Sequence, residues 1–229
     1  MESDFKIYPA SCSPKDYWGQ VKRTVSGKAV SEDQIRMIVT TIERELSLDQ
    51  PGENHLLDMA CGNGALSSLV FPRLQTFLGV DFSEVLISVA RRDFQKPPDF
   101  QFLVADVQDY LRDEPDPCRF NKVLCYGAFS YFPNAVKLLE LIRQRFTAVE
   151  KIFVGNLPDR TRAEQFYTTP LPEISEMIDP NSKIGIWRTQ GEFEETARKA
   201  GWVCRFTRMP DEFYAHHYRY DATLTRCQS

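Results

Sequence analysis

Three acids each close an apolar run in the first half of the chain: Asp58 in LLDMACGNGALS, Asp81 in LGVDFS and Asp106 in FLVADV. The first is followed by Ala60, Gly62 and Gly64. Glycines at that spacing directly after a strand let the backbone of a tight turn approach a ligand closely, at the edge where the strands of an α/β sheet end. Asp81 follows Gly64 by 17 residues, where an acid closing the next strand can accept hydrogen bonds from both hydroxyls of a ribose. The arrangement points to a nucleotide-like cofactor. Taken singly, Asp81 and Asp106 fit a helix cap or a turn equally well; it is their order along the chain that favours a ligand. A nicotinamide-binding turn would place a third glycine where Ser67 stands, which disfavours an oxidoreductase.

The elements that must position these acids are legible as short apolar runs alternating with segments of helical period after residue 55, the pattern of a parallel sheet covered by helices. Strands are expected at 55–60, 76–80, 100–105, 122–126, 151–155, 202–207 and 214–224. Helices are expected at 65–71, from a Ser83 cap to about residue 94, at 135–149, and at 192–200 with Gly201 as a left-handed stop. Ahead of them, 31–48 opens on the capping box Ser31 and Gln34 and carries Ile35, Ile38, Val39, Ile42 and Leu46 at helical spacing. The preceding stretch PKDYWGQVKRTVSGKAV has aromatics and cations without a period and is a candidate lid. Residues 157–190, with four prolines and the aromatics Phe166, Tyr167 and Trp187, form a second candidate cover.

The chain has 229 residues, 42% of them hydrophobic, enough to bury one sizeable core. One domain is expected, with an N-terminal arm and lid helix over 1–50, a cofactor-binding half over 55–156, a substrate-covering insertion over 157–190, and a last helix and hairpin over 191–229. The net charge of −4 is spread along the chain. It leaves no basic stripe of the kind that tracks nucleic acid. No apolar run reaches the length of a membrane span, and MESDFKIYPA has acids where a signal peptide is positive. A cytoplasmic protein is expected, with no membrane or nucleic-acid partner. Its six cysteines show no CxxC and no regular spacing, so reduced and mostly buried thiols are expected and no metal site is.

From Leu56 to about Gly201 the ordered motifs resemble those of the class I S-adenosylmethionine-dependent methyltransferases. That resemblance implies an α/β, Rossmann-like seven-stranded and mostly parallel sheet, with helices on both faces and a C-terminal antiparallel hairpin. It also implies S-adenosylmethionine as cofactor and S-adenosylhomocysteine as product. "DMACGNG" is similar to the first motif, which would place Asp58, Ala60, Gly62 and Gly64 along the methionine portion. Asp81 matches the acid that holds the ribose, with Phe82 bordering the adenine; Asp106 matches the group that takes the adenine amine, with Val107 beside the ring. "FNKVLCYGAFSYF" resembles the fourth motif and brings Tyr126 to the site, although Asn121 replaces an acid often found at the far end of that strand. Tyr17 and Trp18 of the arm could close over the cofactor.

Transfer from a sulfonium needs an acceptor lone pair held in line in a site that excludes water. A hydroxyl acceptor is helped by a general base. Tyr126, Tyr131, Asn156, Asp159, His216 and His217 belong to the strand ends where such a base must lie. His216, Tyr131 and His217 are the catalytic candidates, and His216 is slightly preferred to His217. His55 begins the first strand at the opposite edge. In a strand, Tyr214, His216, Tyr218 and Tyr220 would share one face and Phe213, Ala215, His217 and Arg219 the other. The absence of [DNS]-P-P-[YFW] after the fourth strand argues against amide or exocyclic base-nitrogen methylation. Pro117 and Cys118 precede that strand, unlike the nucleophile of cytosine-C5 enzymes. A small-molecule acceptor with oxygen as the favoured atom is expected. The cations Lys15, Lys22, Arg23, Lys28, Arg160 and Arg162 of the two covers suit a phosphorylated, nucleotide-linked or sugar metabolite. A protein of the same fold that binds the cofactor without turnover remains the alternative from another class, and turnover separates the two.

Overall fold

The computed structural model describes residues 4–49, 53–167 and 170–227. They fall into two compact units, 1–115 and 116–229.

In the first unit, α1 (Asp4–Ser11), the single turn α2 (Tyr17–Gln20) and a hairpin of β1 (Thr24–Val25) and β2 (Lys28–Ala29) lead into α3 (Glu32–Leu46). The Ser31 side chain accepts the Gln34 N–H at 3.4 Å, and Glu32 and Asp33 occupy the first turn. There they complement the helix dipole. Ile35, Ile38, Ile42 and Leu46 form the buried face. β3 (His55–Met59), α4 (Ala65–Ser68), β4 (Thr76–Asp81), α5 (Glu84–Asp93), β5 (Phe100–Val104) and α6 (Val107–Asp113) follow. β4 lies between β3 and β5 and is parallel to both, with Asp58 opposite Gly79 and Asp81 opposite Val104. Parallel pairing in this register delivers the C-terminal ends of all three strands, and the turns that follow them, to one edge.

The helix expected at 65–71 stops at Ser68, and Phe71–Arg73 forms a separate 3-10 turn carrying Pro72. Proline has no N–H with which to continue the ladder. The sheet packs through a cluster of phenylalanines: Phe71 lies 4.9 Å from Phe77 and 4.5 Å from Phe100, and Phe77 lies 5.3 Å from Phe102, centroid to centroid. The Phe102 ring fills the space beside Gly64 and Gly79, where an added Cβ would come within 2.6 Å and 2.8 Å of it. The glycines therefore serve the packing of turn on sheet as well as the backbone path.

In the second unit, β6 (Lys122–Tyr126), α7 (Ala135–Arg145), β7 (Lys151–Pro158), α8 (Ile174–Met177), α9 (Gln190–Lys199), β8 (Trp202–Thr207) and β9 (Arg219–Arg226) run in the strand order β6-β7-β9-β8. β6 and β7 are parallel, and β9 is antiparallel to both β7 and β8. α7 ends at Arg145 rather than Val149, and the Arg226 guanidinium donates to the carbonyls of Arg143, Phe146 and Val149 at 3.2, 2.7 and 2.7 Å. It thereby satisfies carbonyls that a helix end leaves open. α9 begins two residues before the expected start because Thr189 and Glu192 complete a capping box. β7 continues past Gly155 through a bulge at Asn156, whose φ is 66°.

The strand expected at 214–224 begins only at Arg219. From Pro210 onward the backbone spends its hydrogen bonds locally, with Phe213 N–H to Pro210 O at 2.9 Å, His216 N–H to Phe213 O at 3.1 Å and Tyr218 N–H to Ala215 O at 3.3 Å. Those groups are lost to a ladder, so Tyr214, His216 and Tyr218 lie in turns and the expected face alternation starts after them.

The seven strands β3 to β9 make one Rossmann-like sheet, mostly parallel with antiparallel C-terminal strands. The six cysteines are free thiols. Among the described residues, no helix is long and apolar enough to cross a membrane, and no group of His, Cys, Asp and Glu is arranged to hold a metal.

Gly64 has φ 73°, so Gly64→Ala combines left-handed strain with overlap on Phe102. A loss of about 2–4 kcal/mol is expected in urea unfolding. A loss below about 0.5 kcal/mol, the range of neutral surface changes, would show that the turn is not packed as described.

Candidate active site

The turn after β3 passes through three left-handed residues, Ala60 at φ 59°, Gly62 at 60° and Gly64 at 73°. Ala60 bears the steric cost of that region without glycine's freedom, and the turn must be held against it. Asp81 supplies the hold. It is 5% exposed, and its carboxylate accepts the Gly62 N–H on one oxygen and the Ser83 N–H on the other, both at 2.9 Å. One side chain at the end of β4 thus ties the glycine turn to the start of α5, whose first turn Ser83 caps. Burial pushes the Asp81 carboxyl up from its ordinary range, and the two backbone donors pull it partly back. A carboxylate has room for about four hydrogen bonds. Desolvated and holding two backbone donors, this one favours any ligand that brings further hydroxyl donors.

Asp58 lies deeper. It is buried, and the Ser67 hydroxyl donates a hydrogen bond to it. Burial drives its pKa up to about 7; Ser67 and the Arg23 guanidinium oppose that rise, while the Asp81 charge adds to it. The residue at the third glycine position of a dinucleotide turn is therefore occupied in bonding Asp58, a role glycine lacks. The Cys61 thiol is pushed well above its ordinary range by burial and by the same two carboxylates, so it is a packing group and a poor nucleophile.

Asn63, between the two glycines, anchors the N-terminal arm. Its amide donates to the Tyr17 carbonyl at 2.7 Å and to the Gln20 side chain at 2.9 Å, and its oxygen accepts the Ala65 N–H at 3.2 Å. Gln20, itself buried, donates to Ser13 O at 3.0 Å. The Tyr17 hydroxyl reaches Asp93 at 3.0 Å and its ring packs on Phe94, while Arg23 lies over the Trp18 ring. The stretch read as a candidate lid is thus bound to the glycine turn and to α5. Asn63 and Gln20 carried no sequence signal, because their roles rest on a contact spanning 43 residues.

Asp106 is the N-cap of α6, a helix the sequence reading did not place. One of its oxygens accepts the Gln108 and Asp109 N–H groups at 2.8 and 3.2 Å. The side chain is exposed, so its second oxygen is open to a ligand donor. Val107 is buried beside it, and Phe82 presents a ring that is 36% exposed.

In the second unit, Tyr126 is buried at the end of β6, and its ring covers Gly155. Tyr131 donates its hydroxyl to Lys183 O at 3.0 Å, and burial raises its pKa, so the phenol keeps its proton at neutral pH. His216 Nδ1 lies 3.4 Å from Asp211. Burial and the neighbouring His216 both lower the pKa of His217, favouring its neutral imidazole. Asp159, 1% exposed, is bonded by Thr161 and by the Arg208 guanidinium, which excludes it as a base. Of the cover cations, Arg160 pairs with Glu192, and Arg162 donates to His217 O at 3.4 Å. Arg188, Arg208 and Arg219, which the sequence reading passed over, donate to the carbonyls of Phe132, Arg219 and Asn156 respectively.

Residues 56–147 match the profile of a methyltransferase domain family. An uncharacterised methyltransferase of Schizosaccharomyces pombe is 25% identical over 134 residues, covering 55% of this chain and 47% of that protein. A malonyl-[acyl-carrier protein] O-methyltransferase of Halalkalibacterium halodurans is 24% identical over 104 residues, covering 44% of this chain and 37% of that protein. The matches span less than half the length of either relative. The magnesium protoporphyrin IX methyltransferase of Synechocystis, solved with bound S-adenosylmethionine, shares the fold with a TM-score of 0.60 at 14% identity, covering 93% of this chain and 95% of that one.

With its pKa at about 7 in the folded protein against about 3.9 in an unfolded chain, Asp58 retains a proton on folding that the unfolded chain releases. Its contribution is full below pH of about 4 and is lost as the pH rises to about 7, by on the order of 4 kcal/mol. Urea midpoints should fall across that window, and Asp58→Asn should remove most of the fall. An equal fall in the variant would assign the slope to other groups.

Proposed function

We infer that this chain, whose residues 56–147 match the profile of a methyltransferase domain family, is a class I S-adenosylmethionine-dependent methyltransferase that transfers the cofactor's methyl group to a small-molecule acceptor, with oxygen the favoured atom. The observation that carries the cofactor reading is Asp81: a buried carboxylate, raised in pKa, closing β4 and hydrogen-bonded to the glycine turn. A vicinal diol would supply the donors it is short of and favour its charged form. Gly62 and Gly64 would leave room along the methionine portion, Phe82 and Val107 would border the base, and the free oxygen of Asp106 would accept from its amine. Tyr17 and Trp18, held by Asn63, would cover the site. The bound cofactor supplies an electrophilic methyl group on a sulfonium; the protein positions the acceptor, excludes water and takes up a proton.

His216 and His217 are the proposed bases. The lowered pKa of His217 supports it, since a neutral imidazole at pH 7 can accept the acceptor's proton. Tyr131, held protonated and donating its hydroxyl to Lys183 O, is the third proposed catalytic residue. The O-methyltransferase among the relatives supports an oxygen acceptor. The overall negative charge supports a small molecule over nucleic acid, and six free thiols support a reducing, cytoplasmic setting.

Calorimetric titration with S-adenosylmethionine and S-adenosylhomocysteine tests this reading. Tight binding should weaken by about 1–3 kcal/mol in Asp81→Ala, with Asp81→Asn intermediate because it keeps one acceptor oxygen. Binding that ignores both substitutions would remove the assignment. Release of S-adenosylhomocysteine with an acceptor present separates an enzyme from a protein that only binds.

A further inference from the structure

Level with the end of β6, β7 sets two residues against one of β9. Val154 pairs with Ala222 and Leu157 with Tyr220, so Gly155 and Asn156 together face Asp221. The left-handed backbone of Asn156 is unfavourable for a residue with a Cβ, even for asparagine, which tolerates it best. β9 holds it there from both sides. The Asp221 carboxylate, itself buried, accepts the Asn156 N–H at 2.7 Å, and Arg219 donates Nη1 to the Asn156 carbonyl at 2.5 Å. One ion of each sign thus replaces the ladder bonds that the bulge forfeits. Bulges of this kind re-aim a side chain and gather beside active sites.

What it aims is the Asn156 amide. Gly127, one residue past the end of β6, donates its N–H to Gly155 O at 3.0 Å and so lies beside the bulge. A Cβ built on Gly127, left-handed at φ 79°, would meet the Asn156 Nδ2 at 3.6 Å and, chain neighbours aside, no other described atom within 4 Å. That is open space, at the edge where parallel strands of α/β sheets hold their ligands. Gly155 has no such room, since a Cβ there would strike the Tyr126 ring. Asn156 is half-buried. Its Oδ1 is enclosed, and among the described residues its Nδ2 makes no hydrogen bond. The group bordering the space is therefore an open donor.

We propose that the Asn156 amide and the space over Gly127 form an acceptor subsite, in which Nδ2 donates to a hydroxyl or carbonyl oxygen of the acceptor. Asp221 is a positioning residue that acts through Asn156. As an acceptor subsite it rests on the methyl-transfer reading; as a site for a neutral oxygen it stands on the donor and the space beside it. A subsite of this kind orients its ligand and leaves proton transfer to other groups.

The test is titration of the full chain with catechol and, separately, with methyl glucoside, followed by the side-chain amide resonances of asparagine. The Asn156 pair, identified by its loss in Asn156→Gly, should shift at millimolar probe. Asn156→Gly should weaken binding of the responding probe about tenfold. It should also hold its Tm, because glycine takes a left-handed φ without steric strain. Asp221→Ala should weaken binding in the wild-type background and add little in Asn156→Gly, the coupling of a residue that acts through another. Asp221→Asn, which keeps an oxygen for the Asn156 N–H, carries that comparison should the alanine variant unfold, and should bind nearly as wild type. No shift of the Asn156 pair with either probe, or binding that Asn156→Gly leaves unchanged, overturns the proposal. A fall in Tm with binding unchanged would assign Asn156 to the fold alone. Titration with S-adenosylhomocysteine in parallel separates the two readings: a shifted Asn156 pair without cofactor binding leaves the subsite and removes methyl transfer, and the converse removes the subsite alone.

Discussion

The first unit depends on one carboxylate. Asp81 accepts the Gly62 N–H and the Ser83 N–H, and through those bonds it joins the turn after β3, the end of β4 and the first turn of α5. A left-handed run through Ala60, Gly62 and Gly64 is held by a residue 19 positions away from the amide it binds. Burying that carboxylate is unfavourable, and the unfavourable energy is a resource. A desolvated acid that has only two backbone donors discriminates in favour of a ligand carrying more of them.

Asp58 shows how the same environment yields a different chemistry. It lies on the neighbouring strand, deeper, with a hydroxyl partner in place of amides, and its pKa rises to about 7 where the shallower acid is steadied by backbone. Two carboxylates of one edge are thereby kept from full charge together, which a buried pair of anions requires. Ser67 and the Arg23 guanidinium moderate Asp58, and Asn63 fastens the arm that carries Arg23. The arm, the turn and the acids form one hydrogen-bonded assembly within the first unit.

The second unit solves the opposite problem. Its edge collects arginines, which donate to the carbonyls of Asn156, Phe132, His217 and Arg219 and to the buried acid Asp159, while a second buried acid, Asp221, accepts the Asn156 N–H. The bulge at Asn156 makes this possible, since it frees a carbonyl from the strand ladder for Arg219.

The sequence by itself determined the alternation of strands and helices, the order of Asp58, Asp81 and Asp106 at the strand ends, and the caps at Ser31 and Ser83. These are local matters, set by periodicity and by side chains bonding a backbone a few residues away. The strands at 122–126 and 202–207 were legible to the residue, because apolar runs bounded by turns have clear ends. Local chemistry also misled: apolar alternation through 214–218 read as strand, while the backbone had already closed its hydrogen bonds in turns. Only the tertiary structure decided that Ser67 bonds Asp58, that Asn63 holds the arm, that Asp106 caps a helix, and that Arg208 bonds Asp159. Each but the Asp106 cap joins residues from separate elements, and burial, which sets the charge of the acids, exists only once those elements have packed.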